Sequence, residues 1–108
     1  MIKVVFSGTS DKLVEFKAEG HAESATEGYD LVCSAISASS IMIANGITDI
    51  LSVPAVISAD NGFLHINLRK LSLSDIEKCQ VLMKTLLLGL RSMEKSYGKY
   101  IKVLVEEV

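Results

Sequence analysis

Ile2, Val4 and Phe6 alternate with Lys3, Val5 and Ser7, and this period of two predicts a strand. Gly8-Thr9-Ser10-Asp11 has the composition of a turn. Val14, Phe16 and Ala18 then alternate with Glu15, Lys17 and Glu19, which predicts a second strand with one wet face, closed by Gly20. The two strands form an expected hairpin. Ala22 to Glu27 is small and polar and is expected to be a mobile loop. Asp30 is placed as the N-cap of a helix running to about Ile50, weakened near its end by Asn45-Gly46. Its small residues, among them Cys33, Ala35, Ser37 and Ser40, suit close packing on a sheet.

Beyond the break at Pro54, Ala55 to Ala59 predicts a third strand and Phe63 to Leu68 a fourth, joined across the turn signal Asp60-Asn61-Gly62. Ser74 and Glu77 stand three apart, as the N-cap and third helical position of a capping box. Ile76, Cys79, Met83, Leu86, Leu90 and Met93 follow at three- and four-residue steps, the inner stripe of an amphipathic helix. Val81, Leu82 and Leu88 widen its apolar surface, either as core or as a subunit interface. Gly98 ends the helix, and Tyr100 to Val105 predicts a last strand. The order β-β-α-β-β-α-β predicts a two-layer α+β fold, a mostly antiparallel sheet with two helices packed on one face.

Composition narrows the classes. The 108 residues are one domain's worth of chain, 49% hydrophobic but only 6% aromatic, so the core is expected to be aliphatic. A net charge of -2, with lysines and arginines dispersed, argues against a nucleic-acid-binding surface. The start Met1-Ile2-Lys3 leads straight into the first strand pattern, so no signal peptide is expected. The longest apolar run, near Leu86-Leu87-Leu88, is interrupted by Lys84 and Arg91, so no membrane span is expected either. These readings place the protein in the cytoplasm, where its two cysteines are free thiols.

The chemistry concentrates on Gly20-His21-Ala22 and on the segment from Gly28 to Ser37. With Asp30 as N-cap, Cys33 falls at the third helical position, where the positive helix end favours a thiolate and free amides face a developing oxyanion. The Asp30 carboxylate opposes this by raising the thiol's pKa. His21, at a strand end freed by Gly20, is placed to act as base for the thiol and as acid for a leaving amine. Ser37 lies one helical turn beyond Cys33, within reach of the sulfur or a substrate carbonyl. Each has a plainer alternative. Cys33 fills space in a helix of small residues, His21 is an unpartnered loop residue, and Ser37 bonds back to the helix carbonyl four residues earlier. Cys79, on the apolar stripe, is expected to be inert, and His65, mid-strand, a surface residue. No cysteine or histidine pair has metal-ligand spacing, and no glycine-rich phosphate loop is present, so no cofactor is expected.

Gly20-His21-Ala22, followed by Gly28-Tyr29-Asp30-Leu31-Val32-Cys33-Ser34-Ala35-Ile36-Ser37, closely resembles the ribosomal-processing cysteine proteases, the Prp family. The resemblance extends over essentially the whole chain. It implies a cysteine endopeptidase that removes the N-terminal extension of a large-subunit ribosomal protein, number twenty-seven of the bacterial series. Cleavage would follow an aromatic-containing hydrophobic stretch. It also implies Cys33 as nucleophile, His21 as its dyad partner, Asp30 and Ser37 in support, and a homodimer. The alternative is a non-catalytic, ribosome-associated module that binds a basic protein through its acidic surface.

Overall fold

The alternating segments pair into one five-stranded sheet of order β3-β4-β2-β1-β5: β1 (Ile2–Thr9), β2 (Lys12–Glu19), β3 (Val56–Asp60), β4 (Phe63–Asn67) and β5 (Ile101–Glu107). The computed structural model describes residues 1–9, 11–20, 27–60 and 62–108. The expected turn residues Ser10 and Asn61 and most of the expected mobile loop, 22–26, therefore lie outside the described residues. All neighbouring strands run antiparallel except β1 and β5, which pair in parallel from Ile2↔Ile101 to Gly8↔Glu107.

The period of two sorts the sheet's faces. Ile2, Val4, Phe6, Phe16, Ala18, Leu64, Ile66, Ile101 and Val103 are buried beneath the helices, while Lys3, Lys17 and Glu19 on the other face are exposed. Phe6 and Phe16 pack in the core with ring centroids 5.0 Å apart, their planes tilted by 56°. The alternation slips once. Ser7 faces Glu15 but Gly8 faces Leu13, so Val14 is an extra residue in β2, and the bulge brings both Leu13 and Phe16 inward.

His65, expected as a plain surface residue, has a partner instead. Pairing of β2 with β4 sets it beside Glu15, with Nε2 2.6 Å from Oε2, while Arg69 Nε donates to Oε1 at 2.6 Å. Glu15 is only 8% exposed on the otherwise wet face. Burial is the strongest influence on its carboxyl and would raise the pKa, but hydrogen bonds from Arg69 and His65 and the charges of Arg69 and Lys17 together hold it below the ordinary 4.5. A lowered carboxyl pKa stabilises the fold fully above 4.5, and that contribution is lost as the pH falls through the lower folded-state value. Glu15→Gln is accordingly expected to lower the melting temperature at neutral pH and to flatten its fall below pH 4.5, as read by thermal scans across pH.

Three helices lie on the sheet: α1 (Glu27–Asn45), continued by a π-helical turn (Gly46–Ile50), the short α2 (Leu73–Lys78), and α3 (Gln80–Tyr97). The weak point read at Asn45-Gly46 is where the helix changes form. A Cβ on Gly46 would come within 3.1 Å of Leu82, so this is also a point of close approach to α3. Two cap expectations are corrected. Helix α1 begins at Glu27, so Asp30 is an exposed residue inside its first turn and a half, not its N-cap. Ser72, not Ser74, caps α2, its hydroxyl accepting from the Asp75 N–H at 3.1 Å. Asp75 thus takes the third helical position that Glu77 was expected to hold. The single second helix of the sequence reading is in fact two, broken at Cys79.

The reading that no apolar run is long enough to span a membrane is corrected as well. Gly28–Ile50 is long and apolar enough to cross a membrane by length and composition. Its apolar character has another use here. Tyr29, Val32, Ile36, Ile43, Ala44 and Ile47 from this stretch are buried in the core.

Candidate active site

One face of α1 and the adjoining strand ends enclose a cleft of about 290 Å³. Helix α1 supplies Cys33, Ile36, Ser37, Ser40 and Ile41, and the sheet side supplies Ile2, Ala18, Gly20, Phe63 and Leu64 among others. Cys33, Ser37 and Ser40 recur at steps of four and three, so the helical period alone sets them along one side. Cys33 is half-buried, Ser37 is exposed, and Ser40 is fully buried. The wall is mostly apolar, with Glu19 and Asp60 also along it, which favours an apolar side chain or peptide over an anionic small molecule.

Gly20 and Gly62 join the strand end to the β3–β4 hairpin. The Gly20 N–H donates to the Gly62 carbonyl at 3.0 Å. Gly62 has a φ of +74°, and a Cβ there would stand 2.4 Å from the Gly20 carbonyl oxygen. Only glycine satisfies both conditions. On the other side, a Cβ on Gly20 would meet Ile2 at 2.8 Å and the Tyr29 hydroxyl at 3.2 Å. The strand end that leads to His21 is therefore held from two directions. His21 itself lies outside the described residues.

Of the four residues singled out in the sequence, Cys33 and Ser37 come together on the cleft wall. Asp30 is exposed and does not line the cleft. Because α1 starts at Glu27, Cys33 is its seventh residue rather than its third. The unpaired amides of a helix lie in its first turn, and the dipole's influence fades there too. The first-turn amides that the sequence reading set beside Cys33 are therefore about a turn away from it. The sequence reading passed over Ser40 and Gly62 as functional residues. Ser40 was visible in the Cys33-Ser37 spacing carried three residues further.

Cys79 behaves as expected. It is completely buried, and burial, aided by the nearby Asp75 charge, pushes its thiol pKa up. Iodoacetamide is therefore expected to label the native protein at Cys33 alone, with one adduct per chain in intact-mass spectra; labelling of Cys79 at a similar rate would contradict this packing. Among the described residues, no group of three His, Cys, Asp or Glu side chains is arranged to hold a metal ion.

Residues 1–102 match the family model described as cysteine protease Prp. The ribosomal processing cysteine protease Prp of Staphylococcus aureus is 26% identical over 92 residues, covering 85% of this chain and 86% of that protein. Its crystal structure in complex with a substrate peptide superimposes with a TM-score of 0.79 at 25% identity, over 97% of this chain and 99% of the other. A crystal structure from Streptococcus mutans shares the fold with a TM-score of 0.88 at 24% identity, covering 100% of this chain and 96% of that one.

Proposed function

Since the chain belongs to the Prp family of cysteine proteases, we propose that it removes the N-terminal extension of large-subunit ribosomal protein twenty-seven in the cytoplasm, using Cys33 and His21. The observation that carries this reading is a half-buried thiol on the wall of a mostly apolar cleft, in a family whose S. aureus member has been crystallised with both a substrate peptide and a covalently linked product peptide. A hydrophobic, aromatic-containing stretch matches that wall. Metal chemistry has no part in the proposal.

The Cys33 thiolate attacks the scissile carbonyl carbon, and the carbonyl π electrons move to oxygen. Because the free amides of α1 lie about a turn away, Ser37 is the better placed donor from α1. Helical side chains lean toward the N-terminus, so its O–H is directed over the turn that holds Cys33. As the tetrahedral intermediate collapses, the C–N bond breaks and the leaving amine takes a proton from His21. Water, deprotonated by His21, then attacks the thioester and releases Cys33. His21 takes the proton of the Cys33 thiol as the attack begins. Asp30, on the helical turn before Cys33, is assigned the supporting role that the family resemblance implies.

We also propose that two copies associate through the outer faces of the long helices. Val81 and Leu88 on α3, Met42 on α1 and Ile50 at the end of the π-helical turn are 69–82% exposed, more apolar surface than solvent-facing helices ordinarily carry.

The test is incubation with a peptide spanning the precursor's N-terminal extension and its junction, read by mass spectrometry. Two fragments from a single cut are expected. An intact peptide after long incubation with enzyme that iodoacetamide still labels at Cys33 would dismiss this substrate.

A further inference from the structure

Three helix hydroxyls of this protein bond back to the helix, and Ser40, though buried, does not. Ser39 donates to the Ala35 carbonyl at 2.7 Å, Thr48 to Ala44 at 3.1 Å, and Thr85 to Val81, each bonding back four residues. This is the ordinary fate of a hydroxyl inside a helix. Ser40 is the most deeply buried of the four, at 0% exposure, yet among the described residues its Oγ is the buried side-chain polar atom with no hydrogen-bond partner. It lines the cleft seven residues beyond Cys33, and Ile2, Ile36, Ile41 and Leu64 line the same cleft.

A buried hydroxyl without a partner costs stability, and alanine would fill the same space without that cost. A hydroxyl in this place has a use if something brought into the cleft completes it. The surroundings define that group. It must be apolar along its length to match the mostly apolar wall, and it must carry one hydrogen-bonding atom at its tip.

We infer that Ser40 is a specificity-determining residue of the cleft. On rotation of its side chain toward the cleft, its hydroxyl pairs with the polar tip of an otherwise apolar substrate side chain, of which tyrosine is the simplest example. The inference rests on the cleft being the peptide site and adds to that reading a selection at its buried end. Without a polar tip, a phenylalanine entering the same space leaves Ser40 unpaired. Selection of this kind, in which a buried polar group loses its partner with the wrong substrate, is far stronger than selection by a methylene.

The experiment compares peptides spanning the precursor junction in which each aromatic or large apolar residue is made, in turn, phenylalanine or tyrosine. The kcat/KM ratio of tyrosine over phenylalanine is measured for the wild type and for Ser40→Ala. At one position, this ratio is expected to fall about tenfold in the variant, while the phenylalanine peptides are cut as well as before or better. Thermal unfolding separates this from a structural role. Removing an unpaired hydroxyl should leave the melting temperature unchanged or raise it. Equal ratios in the two proteins at every position would overturn the inference, as would a lowered melting temperature with a uniform loss on all peptides. A wild type that cuts none of them would refute the proposed substrate, and the inference with it.

Discussion

Cys33→Ala is expected to reduce cleavage of the precursor peptide below detection while leaving peptide binding within a few-fold of wild type. Removing the nucleophile of a hydrolase lowers kcat by roughly a millionfold, because the covalent route is lost and only binding and positioning remain. The rest of the site should survive. Cys33 is half-buried among small helix residues, so loss of its sulfur disturbs little packing. Cys79→Ala is the matching control. It empties space in the core at a cost of about 1–2 kcal/mol, yet should cut at the wild-type rate once folded. Cleavage rates from mass spectrometry and Kd values from a fluorescent peptide decide the matter. A Cys33→Ala protein that still cuts would remove the thiol from the mechanism, and one that neither cuts nor binds would make Cys33 a packing residue.

Gly62→Ala is expected to damage both stability and cleavage. At a φ of +74° an alanine costs about 1 kcal/mol, and its Cβ would sit 2.4 Å from the Gly20 carbonyl oxygen. A backbone atom cannot swing aside as a side chain can, so the hairpin and the end of β2 must separate, at a further cost of about 1–3 kcal/mol. For a domain near this size each kcal/mol shifts Tm by about 4–8 °C, so a fall of roughly 10 °C or more is expected. The Gly20–Gly62 hydrogen bond holds the strand end preceding His21, so kcat should fall even where the variant is fully folded. Full activity at 25 °C together with a lowered Tm would show that this junction serves stability alone.

The strands were readable because each carries its face pattern locally, and the hairpin at Asp60-Asn61-Gly62 because a turn's demands fall on neighbouring residues. The failures share a physical cause. Ser72 and Ser74 both stand three residues before an acid, Asp75 and Glu77, and nothing local decides between two such caps. The start of α1 was misjudged because Asp30 has a capping side chain, whereas Gly28 inside the helix argues against one. That glycine is explained only by a distant contact: a Cβ there would stand 2.6 Å from the Tyr100 hydroxyl. The β2 bulge, the Glu15–His65–Arg69 cluster and the solitary state of Ser40 likewise depend on which elements meet, and that is not written in any one segment. At the site, the stretch around Cys33 and Ser37 was legible as a motif. Its setting was not, since the helix starts four residues earlier than expected and Cys33 is its seventh residue rather than its third.

The parallel pairing of β1 with β5 has a consequence for timing. Ile2 forms part of the cleft wall, and in the sheet it stands opposite Ile101 and donates its N–H to the Tyr100 carbonyl at 2.8 Å. The first strand is therefore completed by the last one, across a loop closure that spans nearly the whole sequence and is entropically slow. During synthesis the thiol emerges long before the wall beside it can settle. A growing chain carries Cys33 through most of translation without a finished groove beside it.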